Sequence, residues 1–141
     1  MKITIVGSSS ARVEKIKIRD KLRELGHEPI INPYYERLVK GMEPELAEMI
    51  AREHDKAKRK YGFIKWYYDR IVESDAILVV NINKNGIINY IGGNTLMEMG
   101  FAHVHDKKIF LLNPVPTEVP YIDEINAMVD EIINGDLTKI K

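Results

Sequence analysis

The chain has 141 residues, enough for one domain spanning 1–141 around one core. Its 21 Lys plus Arg balance 21 Asp plus Glu, which gives no support to a nucleic-acid or membrane-surface partner acting through bulk charge. It has no cysteine, so disulfides, thiolate metal sites and cysteine nucleophiles are excluded.

"KITIV" (2–6) is β-branched and apolar, and Gly7 stops it, so it reads as a buried first strand. The run is too short for a signal segment or a membrane span, and a soluble, cytoplasmic protein is expected. A helix follows to Gly26, with a serine of "GSSS" (7–10) as its cap and Ile18, Leu22 and Leu25 on one face. "PIIN" (29–32) is a short second strand closed by Pro33. This opening is a βαβ unit and points to a parallel sheet.

Residues 36–74 are mostly helical, with Pro44 near a helix start and Gly62 as a break. That is long for a simple crossover, and the extra helical matter suits a lid or an oligomer surface. "AILVVNI" (76–82) is continuous and apolar, hence a central strand. "NKNGIINYIGG" (83–93) is a loop, and "NTLMEMGFAHVH" (94–105) is a helix apolar nearly all round. "KKIFLL" (107–112) is a further buried strand, and "NPVPTEVP" (113–120) is a proline-rich loop. "YIDEINAM" (121–128) is a short helix, "VDEII" (129–133) a last strand and "NGD" (134–136) a turn. The alternation predicts a three-layer α/β/α domain of flavodoxin-like type with a parallel sheet of about five strands.

In such a sheet, ligands bind at the carboxyl ends of the strands, where strand order reverses. The loops "GSSS", "NINKNGIINYIGGN" and "NPVPTEVP" are therefore expected along one edge. "GSSS" suits a phosphate or sugar hydroxyl as well as ordinary N-capping. It is neither GxGxxG nor a P-loop. Tyr34 and Tyr35 suit stacking on a base or packing at a core edge. His103 and His105 are two apart on a helix and face different ways, so no shared metal is expected.

Glu98 admits two readings. Thr95 and Glu98 have the spacing of a capping box, Ser/Thr-x-x-Glu. If Asn94 caps instead, Glu98 is free to point into the cleft, ionised by the helix N-terminus and able to act as a nucleophile. Asp75, just before the central strand, reads as a turn residue on its own.

Strand-Gly-Ser at the start, "SDAILVV" in the middle and "NTLMEMGFAHVHDKKIFLL" together resemble the nucleoside 2-deoxyribosyltransferase superfamily, which includes the deoxynucleoside 5′-monophosphate N-glycosidases. Asn94-Thr95, Glu98, Gly100 and Ala102 match the family's Gly-Thr-x-x-Glu-x-Gly-x-Ala in register. The resemblance implies a glutamate nucleophile at Glu98 that attacks C1′ of a 2′-deoxyribose, with water or a second base resolving the glycosyl ester. It implies that Asp75 positions or protonates the base, and that Gly7 and Ser8 form a sugar or phosphate loop, with Ser9 beside them as a further expected substrate contact. Tyr34, Gly92, Gly93, Asn94, Thr95 and Asn113 complete the expected substrate contacts. It implies no cofactor and a homodimer or higher oligomer that completes the site.

Two positions depart from the family: Gly92 stands where an aspartate is common, and Asn94 where glycine is usual. They motivate an alternative, a nucleotide-binding or sensing module of the same fold without turnover. A structural oligomer in which Glu98 only caps its helix is a third possibility.

Overall fold

The computed structural model describes all 141 residues. Five strands form one parallel sheet: β1 (Lys2–Val6), β2 (Glu28–Ile30), β3 (Ala76–Val79), β4 (Lys108–Leu111) and β5 (Glu131–Ile132), in the spatial order β2-β1-β3-β4-β5. This is the flavodoxin-like order, so the strand sequence reverses between β1 and β3.

The pleat divides the apolar residues between two faces. Ile3, Ile5, Ala76, Leu78, Val80 and Phe110 pack on one face with α1 (Arg12–Glu24), α2 (Tyr34–Val39), α3 (Pro44–Arg52) and α4 (His54–Tyr61). Val6, Ile77, Val79, Ile109 and Leu111 pack on the other with α5 (Phe63–Glu73), α6 (Gly93–Val104) and α7 (Ile122–Met128). Two buried layers of helices on a sheet hydrophobic on both sides make the three-layer α/β/α fold.

The expected strands all form, and the last is shorter than its sequence pattern, two residues of "VDEII". The first helix is preceded by a 3-10 turn, Ser9–Ala11, capped by Ser8, whose hydroxyl accepts from the Ser10 amide. Of the apolar face expected on α1, Leu22 is buried, whereas Leu25 is the exposed helix cap. The long helical region breaks into four helices. Gly62, at φ +63°, ends α4 in the left-handed conformation and starts α5.

The open end of the sheet is tied across β3 and β4. Asn81 Nδ2 donates to the carbonyls of Asn113 and Pro114, and Asn81 Oδ1 accepts from the Asn113 amide at 2.9 Å. Asn113 Nδ2 returns a bond to the Asn81 carbonyl.

Candidate active site

A cavity of about 210 Å³ opens at the carboxyl ends of β1 and β3, where strand order reverses. Gly7, Ser8 and Ser9 form one wall and Tyr90, Gly92, Gly93, Asn94 and Thr95 another. Asn32 and Tyr35 come from behind β2, Tyr67 from α5, and Ile50, His54 and Lys58 from the helical insertion.

Gly7 is a glycine for two reasons. Its φ is +145°, and a Cβ there would lie 2.8 Å from the Val80 carbonyl oxygen and 3.3 Å from the Lys15 Cε. The loop after β3 is shaped by an Asn85-Gly86 turn, both residues at positive φ, closing a bridge between Lys84 and Ile87. Lys84 Nζ reaches back across the cavity to the Ser8 hydroxyl at 2.7 Å.

Helix α6 starts one residue earlier than its sequence pattern, at Gly93, with Gly92 at the cap. Asn94 is therefore not the cap, and no side chain caps this terminus, so the Thr95–Glu98 capping box does not form. The physical reason is register: Thr95 already lies inside the first turn, which puts Glu98 in the second, beyond the orphan amides.

Glu98 is instead 2% exposed. Its Oε1 accepts a long hydrogen bond from Asn94 Nδ2 at 3.4 Å, and its Oε2 has no partner. Glu98 does not itself line the cavity; Asn94 and Thr95, one turn earlier, do. Burial pushes the Glu98 carboxyl up to about 8, opposed by the positive charges of Lys15 and Lys58. The expectation of an ionised carboxylate held by the helix N-terminus is thus corrected: burial outweighs the helix end, and the resting group is largely protonated at neutral pH.

Lys15 is fully buried, with its Nζ donating to the Gly7 carbonyl and to the Tyr35 hydroxyl, each at 2.8 Å. Tyr35 and Tyr67 share a hydroxyl–hydroxyl bond of 2.9 Å. The Tyr67 phenol is raised well above its ordinary value by burial first, then by Tyr35 and Glu98. A cation, two phenols and a carboxyl therefore share one dry region beside the cavity.

Lys15, Tyr67, Lys84, Lys58 and His54 were not singled out from the sequence. Tyr67 lies on the apolar side of its helix with Ile71 and reads as packing, and Lys15 reads as a solvated charge that only the tertiary fold turns inward. Lys84 follows a strand in a polar loop, and that position was the available signal.

Three expected site residues lie elsewhere. Asp75 is exposed at the amino end of β3, where its carboxylate accepts from the Lys2 amide at 2.8 Å. That is the opposite edge of the sheet from the cavity, because Asp75 precedes β3 and the cavity follows it. Tyr34 packs edge-on against Tyr61 and Phe63, with the Arg37 guanidinium over its ring, and Tyr35 takes the place in the cavity wall. Asn113 is consumed by the clasp with Asn81.

His105 is bonded to the Tyr68 hydroxyl, and no three His, Cys, Asp or Glu side chains gather as a metal site. No helix is long and apolar enough to cross a membrane.

No protein-family model matches the chain, and no curated protein sequence matches it. Among solved structures it is similar to the CMP N-glycosidase BcmB of Clostridium botulinum, with a TM-score of 0.51 and 17% identity over 94% of this chain and 88% of that one. At that identity the likeness speaks for the fold. The expected three-layer parallel α/β/α fold is the fold this chain shares with that structure.

Proposed function

We propose that the cavity binds a 2′-deoxynucleoside or its 5′-monophosphate and that Glu98 cleaves the N-glycosidic bond. One observation carries the reading: a buried carboxyl with an unpartnered oxygen stands behind Asn94 in the wall of a polar cavity at the switch point. Leaving such a group buried without a partner costs stability, and sites of that kind concentrate where chemistry is done.

In the proposed reaction the Glu98 oxygen bonds to C1′ as the C1′–N bond breaks, and the electron pair leaves with the base. Glu98 must lose a proton to become the nucleophile and the departing base must gain one, so the balance closes inside the cavity. Water next attacks C1′ and restores the carboxyl, or a second base does so in a transferase. The oxocarbenium-like character of the transition state favours the anion that burial disfavours at rest. Lys15 and Lys58 supply the positive field that lets the anion form. The test is chromatographic detection of free base from deoxynucleosides and deoxynucleotides. No base from any of them, or undiminished release by Glu98→Ala, would remove the proposal.

A second reading has its own observation. Asn94 lies over Glu98 where the resembling family has glycine, and the carboxyl is held protonated. Both suit a nucleotide-binding module without turnover. In that case a nucleotide raises the melting temperature and is recovered intact.

A further inference from the structure

Cleavage of the glycosidic bond leaves negative charge on the departing base, and no carboxylic acid lines the cavity to meet it. Asp75 is at the opposite edge of the sheet, and the Ser8 hydroxyl is taken up by Lys84 and Ser10. Two buried phenols also stand in the wall, Tyr35 and Tyr67, 4% and 6% exposed.

Donor and acceptor counts fix the direction of their hydrogen bonds. The Lys15 ammonium has protons and no lone pair, so it donates to the Tyr35 oxygen, 2.8 Å away. A hydroxyl that accepts from a cation becomes a stronger donor and a weaker acceptor. Tyr35 therefore gives its own proton to the Tyr67 oxygen at 2.9 Å. Asn32 acts on the same oxygen. Its Oδ1 accepts from the Tyr34 amide at 2.9 Å, which leaves its amide nitrogen to donate toward Tyr67. The Tyr67 oxygen is then filled as an acceptor, and its own proton is left over on a ring that lines the cavity. The same chain gives a role to Lys15, a buried cation whose two bonded partners, the Gly7 carbonyl and Tyr35, are both neutral.

We propose that Tyr67 donates this proton in a hydrogen bond to a ring nitrogen or carbonyl oxygen of the departing base, with Tyr35 and Lys15 as the positioning residues that orient it. The assignment rests on the reading of the cavity as a glycosidic site with Glu98 as nucleophile. The bond strengthens as the C1′–N bond stretches and its electron pair moves onto the base, and a fixed donor in a dry site is most effective at that moment.

The state of the phenol agrees with this role. Burial first, then Tyr35 and Glu98, hold Tyr67 well above its ordinary value, so it remains protonated and able to donate at neutral pH. Glu98 is among the groups that act on it, which puts donor and nucleophile in one dry region.

Paired substrates test the assignment on the full chain. Deoxyguanosine is set against its 7-methyl derivative and deoxyuridine against its 5-fluoro derivative, each as nucleoside and as 5′-monophosphate. In each pair the second base departs more readily and needs less help from a donor. Tyr67→Phe should cut base release from the first member about a hundredfold, and from the second at least about fivefold less severely. Tyr35→Phe should show the same split in smaller measure, and it decides the matter if Tyr67→Phe does not fold. A loss caused by disturbed packing falls equally on both members of a pair. Equal losses within the pairs, or full activity of Tyr67→Phe, overturn the assignment while leaving Glu98 as nucleophile. If the parent chain releases no base from any of these compounds, the glycosidase reading fails, and binding titrations with the same compounds decide on Tyr67. Binding weakened roughly five- to tenfold by Tyr67→Phe keeps the phenol as a donor to a bound base. Unchanged affinity, or no binding by the parent, removes it as well.

Discussion

Asn94 stands one helical turn before Glu98, and its side-chain amide is the sole hydrogen-bond donor to that carboxyl, 3.4 Å from Oε1. The amide separates a buried acid from the cavity its neighbours line. Asn94→Gly should open that path and admit water. The Glu98 titration should move down toward the ordinary value, and turnover, if limited by access, should rise. Glycine in the helix costs roughly 1 kcal/mol, so the variant should still fold. Base release measured across pH for the two proteins checks it, and lower turnover with a normal melting curve would show Asn94 to be a substrate contact instead.

Glu98 also sets a pH dependence of stability. Its carboxyl titrates near 4.5 when unfolded and about 8 when folded. Between those values the folded chain keeps a proton that the unfolded chain has released, so this group's effect destabilises the fold as pH rises through the window. Glu98→Gln removes the effect. The variant should match the parent near pH 4 and exceed it at pH 8, by at most about 5 kcal/mol. Denaturant titrations at both pH values read this directly, and a Gln variant less stable than the parent at pH 8 would contradict it.

The same titration governs rate. If the anion attacks, kcat/KM should climb about tenfold per pH unit below pH 8 and level off above it. If Glu98 acts only as an acid, the profile inverts. Lys15→Met removes the cation that lowers the Glu98 titration, so its rising limb should shift to higher pH. A melting curve on the same variant separates that effect from loss of the Lys15 bonds to Gly7 and Tyr35.

Asp75 offers a clean negative. Its carboxylate caps the sheet at the Lys2 amide, away from the cavity. Asp75→Asn should leave base release within about twofold and cost about 1 kcal/mol or less of stability, since the amide oxygen can still accept. A loss of a hundredfold or more in kcat with an intact fold would restore the catalytic role that the family resemblance implied.

Gly7→Ala should be severe. The positive φ and the approach to the Val80 carbonyl each penalise a Cβ, for a cost of about 2 kcal/mol or more. Chemical denaturation measures it. A near-neutral substitution would show that the loop after β1 can shift.

The architecture was legible because its signals are local. "KITIV" and "AILVVNI" are apolar on both faces, as a parallel strand must be, and Gly7, Gly26 and Gly62 stand where the chain turns. The site was legible only in its loops. Gly7, Ser8 and Ser9 line the cavity directly after β1, and Gly92 to Thr95 line it where the long loop after β3 enters α6, both at the carboxyl edge of the sheet. Side-chain direction was not legible. The Thr95–Glu98 spacing fits a capping box, yet the helix is capped at Gly92, three residues before Thr95, and the acid is buried instead. Lys15 reads as one more charge on a solvated helix, and nothing local reveals that its Nζ ends between Gly7 and Tyr35. Asp75 was misplaced by its apparent match to a family position, although the order of residue and strand already set it at the far edge.

The paired asparagines at positions 81 and 113 have a mechanical consequence. Three hydrogen bonds between them, and a fourth from Asn81 to the Pro114 carbonyl, rivet the ends of the third and fourth strands together. That side of the entrance behaves as a fixed jamb. The opposite side carries no such clasp: there the wall is made by helices that meet the sheet through apolar packing alone.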